Sequence, residues 1–449
     1  MQLTKVIAEN IVKIRYCDLP DNVIEASKKS ILDSIAVTLP ATTLDKSCIA
    51  LYDLVMEAGG KEESTIIGFG GKSTCWMAAF INGCLVHALD YDDTTDDPIY
   101  HPTGSTFPAA FAIAERLGGI SGKDFITAIA LGNDLGIRLT TTVKDSLKNH
   151  SIFSTSMFGP FGAAAAVGKL LGLSTEKMLN ALGIALHRVT GDKEALWDPG
   201  SDIRAIRDGY TNKEGVLAGL MASRGIAACK DSFENLFKFF YDDDFNPEPL
   251  TKDLGKKFRG SDVSIKPWPA VRGSHGYIET ALQIMKEHRI QPDQIKEVIL
   301  TVDESHAERF HEPFPTSAMA AKFSLPFVVS VALIKGAVEI PHFIPDNFDP
   351  NILEMSTKIK CTVDSSFGST TPAQTDIWTK DEKSYSSRVD RLTGHPQKPL
   401  SNDEITRKFE DCASYSMRPV KPETIKQLIE MVNNLDKLAD VKEISNILY

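Results

Sequence analysis

Hydrophobic periodicity changes character near Ser264, and no other feature constrains the fold as much. Before that point apolar residues recur at helical spacing. Ile7, Ile11 and Ile14 share a face, and Ile24, Ile31, Ile35 and Val37 mark Val23–Leu39 as amphipathic. Trp76–Leu89 is almost wholly apolar or small, and Phe107–Leu117 and Gly162–Leu171 are alanine-rich. Small side chains let helices pack closely, so these three segments are expected at the centre. Ser121 and Ser174, each with an acid in the following turn, read as helix caps. Beyond Ser264, Ile295–Asp303 alternates and is β-branched, and Ile359–Val363 and Gln374–Trp378 read as further strands. His275–Glu287 and Ala320–Gly336 read as helices between them, and Asn402–Ala413 and Pro422–Leu435 return to helical spacing. The expected architecture is mainly α with a smaller α+β domain. Residues 1–265 form a large helical domain, 266–395 an α+β insertion, and 396–449 helices that return to the first.

A chain of 449 residues exceeds one ordinary core, and its 42% hydrophobic and 24% charged content reads as globular. A formal net charge of -11 disfavours nonspecific nucleic-acid binding, which needs cations against phosphate. The seven cysteines are scattered and contain no Cys-x-x-Cys pair, which argues against a disulfide framework or a structural zinc site. The N-terminal segment lacks the features of a signal peptide, and no apolar run is long enough to span a membrane. A cytoplasmic location is therefore expected.

Three stretches carry groups suited to chemistry. Between Val86 and Gly104 lie two histidines, His87 and His101, with Asp90, Asp92, Asp93, Asp96 and Asp97. Carboxylates beside imidazoles at the end of an apolar segment suggest a polar pocket cut into a core. If the preceding helix continues to Asp90, then His87 and Asp90 share a face, as do Asp90 and Thr94. Asp93 is an alternative turn cap. Asp92 and Asp96 are expected to face solvent, and Asp90 and His101 to be functional. The second stretch runs from Lys266 to His275, where Pro267 and Pro269 forbid a helix and stiffen a loop that presents Lys266, Arg272 and His275. A helix starting near Ser274 adds partial positive charge, which makes a plausible carboxylate site. In the third stretch, Arg204 and Arg207 either fork onto carboxylates or pair with Asp202 and Asp208 as a surface network. His101, His275 and His311 can be grouped on paper as a metal site, but their spacing matches no ligand pattern, so no metal is expected.

On these residues the chain resembles the MmgE/PrpD family. The resemblance rests on His87-Ala88-Leu89-Asp90-Tyr91-Asp92-Asp93-Thr94 with His101-Pro102, and on Gly159-Pro160-Phe161-Gly162 with Lys169-Leu170-Leu171-Gly172-Leu173. It extends to Lys266-Pro267-Trp268-Pro269 with Arg272 and His275, Ala321-Lys322-Phe323-Ser324-Leu325-Pro326, and Gly394-His395-Pro396. The family includes 2-methylcitrate dehydratases, cis-aconitate decarboxylases and iminodisuccinate epimerases. The resemblance implies a helical domain with an α+β lid, a homodimer, and no metal or organic cofactor. It places active-site roles on Asp90, Thr94, His101 and Lys266; Arg204, Arg272 and His275 are read from their charge and placement as holding substrate carboxylates. Two positions depart from decarboxylase-like members. Phe153-Ser154-Thr155 stands where they have His-Pro-Thr, and Arg204 where they have lysine. The expected activity is proton abstraction beside a carboxylate of a small di- or tricarboxylate, with dehydration as the outcome. Epimerisation, cis-aconitate decarboxylation and a non-catalytic binding role follow in that order.

Overall fold

The computed structural model describes residues 2–147, 152–189, 191–192, 198 and 201–448. The chain forms two compact units. The first contains the chain up to Ala88, Asp92–Val263 and the chain from Ile405; the second contains Leu89–Tyr91 and Ser264–Glu404. Two boundaries differ from those read in the sequence. Residues 396–404 stay with the second unit, where Gly394 N–H donates to the Lys398 carbonyl at 2.9 Å and the Lys398 ammonium pairs with Glu279. The three residues Leu89–Tyr91 also belong to the second unit, although their neighbours on both sides belong to the first.

In the first unit the core is carried by α1 (Asp21–Leu44), α2 (Cys75–His87), α3 (Phe107–Leu117), α4 (Gly122–Thr142), α5 (Ser154–Leu170) and α6 (Ile203–Ser223). Every residue of α2 from Ala78 to His87 is buried, as expected for a helix with no polar face. It runs against α6, α6 against α5, and α5 against α4. Glycine makes the α2–α6 approach possible. A Cβ on Gly83 would lie 2.6 Å from the Asp208 carbonyl oxygen, and one on Gly209 2.3 Å from Cys84 Sγ. Helix α5 begins at Ser154 rather than Gly162 and carries Pro160 inside it. Burial of Met157, Phe158 and Phe161 offsets the backbone hydrogen bond that Pro160 removes.

Two buried ion pairs fasten outlying chain to this core. Arg138 of α4 donates from Nε to Asp134 Oδ2 at 2.8 Å, from Nη1 to the carbonyls of Pro249 and Lys252, and from Nη2 to that of Lys257. The helix Asn402–Ser414 sets Lys408 Nζ 2.6 Å from Asp33 Oδ1 of α1, with both side chains buried. The helix Pro422–Asn433 packs on α1 as well, burying Leu428 and Val432. Between α2 and α3, β1 (Thr95–Asp96) and β2 (Ile99–Tyr100) form a short antiparallel pair.

In the second unit, α7 (His275–His288) lies on a four-stranded sheet. Its strands are β3 (Ile295–Val302), β4 (Ile359–Val363), β5 (Ala373–Thr379) and β6 (Ser384–Val389), in the order β4-β3-β5-β6. β3 pairs in parallel with β4, and the other pairings are antiparallel. The alternation of β3 buries Ile295, Val298, Leu300 and Val302. The single helix read over Ala320–Gly336 is two, α8 (Ala318–Phe323) and α9 (Leu325–Lys335). Ser324 breaks the run in an extended conformation, and its Oγ accepts from Phe327 N–H. Pro326 follows in the first turn, where its missing N–H costs nothing. Among the described residues, no helix is long and apolar enough to cross a membrane.

Candidate active site

Helix α2 ends at His87 and does not reach Asp90. Asp90 has φ 55°, in the left-handed region that aspartate tolerates better than most side chains. The shared helical faces expected for His87 with Asp90, and for Asp90 with Thr94, therefore do not form. Instead Lys266 Nζ donates to both the Asp90 carbonyl oxygen, at 2.7 Å, and Asp90 Oδ1, at 2.6 Å. The left-handed turn is what directs main-chain and side-chain oxygen of one residue to one ammonium. Side-chain exposure is 1% for Lys266 and 2% for Asp90, so the pair is held out of water. Lys322 Nζ donates to the Leu89 carbonyl at 2.7 Å, and Tyr91 Oη–H to the Pro267 carbonyl at 3.1 Å. Two lysines and a tyrosine thus clasp Leu89–Tyr91 within the second unit. In the loop after Lys266, Arg272 and His275 are buried as well. Arg272 Nη1 donates to the Thr393 carbonyl at 2.9 Å, His275 Nε2 lies 3.2 Å from the Ala270 carbonyl oxygen, and the His275 ring meets Trp268 edge-on.

In the first unit a second cluster forms around Asp92. This residue is 0% exposed, which overturns the expectation of a solvated acid. The error came from reading a run of acids as a solvated loop, when the preceding helix carries the run into the core. Asp92 Oδ1 is 3.0 Å from His87 Nδ1, and Oδ2 is 3.0 Å from His101 Nδ1. Burial alone would raise the Asp92 carboxyl; the two imidazoles outweigh it and hold the group well below the usual carboxylate range. Arg207 Nη2 lies 2.7 Å from His87 Nε2, and Arg207 Nε lies 3.1 Å from Asp208 Oδ1. The Arg207–Asp208 pair is fully buried, and not the surface network that was one reading of the spacing. The Arg207 guanidinium stacks 4.1 Å above the Phe153 ring and also borders a cavity of about 370 Å³, shared with Ser156, Tyr210, Thr211 and Glu214. Arg204 is buried on the first turn of α6. Asp202 faces outward to Lys46.

Thr94 is fully buried, and its hydroxyl donates toward the Thr95 and Tyr100 carbonyls at 3.0 and 3.1 Å, which leaves its oxygen as an acceptor. Among the described residues the one group with metal-ligating atoms close together is His87, Asp92 and His101, within 4.8 Å of one another. A cation there would have to displace both hydrogen bonds to Asp92 and sit beside the Arg207 guanidinium. The donor set is therefore better matched to protons than to a metal. Of the groups in these clusters, His87 and Asp92 were given no functional role from the sequence, Lys322 stood only within a motif, and Arg207 was read as either a carboxylate fork or a surface pair. The signal for the first two was the apolar α2 running directly into the acids.

Asp93 is the remaining buried acid. It accepts from Thr103 N–H at 3.2 Å, and burial, with Asp33 and Asp92 nearby, pushes its carboxyl up to about 7. Its unfolded value is about 3.9, so the folded state favours the protonated form. That contribution is fully present below about pH 4 and is lost as pH rises through about 7, an effect on the order of 4 kcal/mol. Asp93→Asn should flatten this part of the profile. Urea midpoints of both proteins at pH 4.5, 6 and 8 (roughly spanning the window) check it, and parallel profiles would refute it.

A mostly helical unit with buried carboxylate, imidazole and guanidinium groups, and an α+β unit with a buried carboxylate–ammonium pair, have the character of an acid–base enzyme. The chain belongs to the MmgE/PrpD family: the family's N-terminal domain matches residues 5–248 and its C-terminal domain residues 268–434. Among curated proteins it is similar to the cis-aconitate decarboxylase of Homo sapiens, at 28% identity over 474 residues, covering 99% of this chain and 94% of the relative. The Mus musculus cis-aconitate decarboxylase is 28% identical over 476 residues, covering 99% and 93%. An Aspergillus terreus cis-aconitate decarboxylase is 25% identical over 461 residues, covering 96% and 92%.

Proposed function

We propose that this chain is a cofactor-independent lyase that takes a proton from the carbon beside a carboxylate of a small di- or tricarboxylate, with loss of a β-hydroxyl as water. The observation that carries the reading is the dehydrated Asp90–Lys266 pair, 2.6 Å apart, in the same short stretch as the Asp92–His101 pair. Asp90 and Asp92 are two peptide steps apart, so their Cα atoms lie within about 7.6 Å of each other whatever the fold around them. In the proposed reaction His101 takes the α-proton, and Lys266 stabilises the charge that develops on the carboxylate as an enolate. The proton taken by His101 then passes to the departing hydroxyl, which leaves as water, while Asp90 holds the Lys266 ammonium in place. Thr94 accepts a hydrogen bond from the substrate, and Arg204, Arg272 and His275 hold its carboxylates.

A second reading, decarboxylation of cis-aconitate, is supported by the names of the full-length relatives. Loss of carbon dioxide passes through the same kind of carbanion. Against it stands Phe153, stacked on Arg207, where decarboxylase-like members carry an imidazole. A dry ring accepts no proton and disfavours a third charged carboxylate. The test is a panel of citrate, 2-methylcitrate, malate and cis-aconitate in deuterated water, followed by proton NMR and carbon dioxide release. The expected result is α-deuteration with loss of water from a hydroxy acid, and cis-aconitate as a poor substrate. Phe153→His should gain carbon dioxide release from cis-aconitate. Efficient release by the unmodified protein would replace dehydration by decarboxylation. Exchange without net product would make the enzyme an epimerase, and no exchange at all would leave a binding protein.

A further inference from the structure

We infer that Asp92 is a positioning residue that fixes the tautomer of His101, with His87 and Arg207 locking the other side of the arrangement. The inference rests on the proposed role of His101 as the proton acceptor, and extends it to residues that touch no substrate. An ionised carboxylate only accepts hydrogen bonds. Asp92 is held ionised, and each of its oxygens lies 3.0 Å from an imidazole Nδ1. Both Nδ1 atoms must therefore carry protons. A neutral ring protonated at Nδ1 has its lone pair at Nε2, so Asp92 makes Nε2 the basic atom of His101.

His87 is fixed from both ends. Its Nδ1–H faces Asp92, and Arg207 Nη2, a donor that never deprotonates, lies 2.7 Å from its Nε2 and 3.5 Å from its Nδ1. A proton moved to Nε2 would face this cation at 2.7 Å, so the arginine favours the Nδ1–H tautomer of His87. Asp208, 3.9 Å from His87 and 3.1 Å from Arg207 Nε, offsets the guanidinium charge. The Asp92 charge is then left to stabilise the imidazolium that forms when His101 Nε2 accepts the substrate's α-proton. In that step the C–H bond breaks, an N–H bond forms, and the electron pair passes from carbon into the adjoining carboxylate. Asp92 itself takes no proton. Backbone comes close to both acids at Gly104, where a Cβ would lie 3.0 Å from Asp92 Oδ2 and 3.4 Å from Asp208 Oδ2. The carboxylates are thereby held in place with no side chain between them and the loop.

Asp92→Asn separates this role from a merely structural one. An amide offers one acceptor oxygen and one donor nitrogen, so it can satisfy only one Nδ1–H. Arg207 keeps His87 in its present tautomer, so His101 is the ring that must switch to Nε2–H. Nitrogen-15 NMR of the imidazoles, assigned through loss of the His101→Gln signal, should show His101 changing from Nδ1–H to Nε2–H while His87 does not. With whichever panel compound exchanges fastest among citrate, 2-methylcitrate, malate and cis-aconitate, kcat should fall by about 10–100-fold with KM little changed. An unchanged His101 tautomer with normal kcat overturns the inference. If Asp92→Asn does not fold, the unmodified protein decides: Nε2–H on His101 there overturns it, and Nδ1–H on both rings supports it. His101→Gln with full activity would refute the catalytic role of His101 separately, without bearing on the tautomer result.

Discussion

Replacing Lys266 with alanine should reduce turnover by about a hundredfold or more, because a cation placed where charge develops acts mainly in the transition state. The structure adds a second expected effect. Lys266 is fully buried and places its ammonium on both the carbonyl and the carboxylate of Asp90. Removing one partner of a buried pair and leaving the other charged costs about 3–5 kcal/mol. The variant should therefore lose stability as well as activity, unless Asp90 takes up a proton. The double variant Lys266→Met with Asp90→Asn should recover the stability and not the activity. Steady-state kinetics and denaturant midpoints on the single and double variants separate the two effects. Normal kcat with a raised KM would make Lys266 a uniform binding group, and unchanged kinetics would remove it from the reaction.

Arg138→Ala should be the most destabilising single change in the first unit. The guanidinium is 1% exposed and holds Asp134 together with three main-chain carbonyls, those of Pro249, Lys252 and Lys257. Asp134 has a second tie to the same region, accepting from Arg259 N–H at 2.7 Å. Truncation strands a buried carboxylate and frees the segment from Pro249 to Lys257 from α4. The expected cost is about 3–5 kcal/mol, a large share of the roughly 5–15 kcal/mol that holds an ordinary domain together. A lowered urea midpoint with new proteolytic cleavage between Pro249 and Lys257 is the expected observation. A midpoint equal to that of the unmodified protein would show that the carbonyls find other donors.

Some regular elements were legible from an apolar, alanine-rich or β-branched run with clear ends. Phe107–Leu117 and Ile359–Val363 have the bounds that their residue patterns indicate. β6 was not legible, because Ser384-Tyr385-Ser386-Ser387-Arg388-Val389 is an edge strand with little buried apolar surface. The α8–α9 break was missed because Ser324 interrupts an apolar run without altering its average character. In the candidate site, sequence indicated which residue types mattered but not which would meet. Asp90 and Lys266 are far apart in the chain, and their contact depends on a left-handed residue that no periodicity reports. The burial of Asp92 depends on where α2 ends, and a boundary shift of one turn moves an acid from solvent to core.

The first unit is discontinuous in sequence, and this has a consequence for its synthesis on the ribosome. Asp33 is made well before its partner Lys408, which belongs to a helix that follows almost all of the second unit. Strands of chain around Gly119–Gly122 wait for Leu438, Asp440 and Val441, which supply or receive their backbone hydrogen bonds. Until those later residues emerge, Asp33 lacks Lys408, and α1 lacks the cover of the helix Pro422–Asn433. The second unit, continuous from Ser264 to Glu404 apart from its three-residue clasp, therefore emerges in full before the first can close.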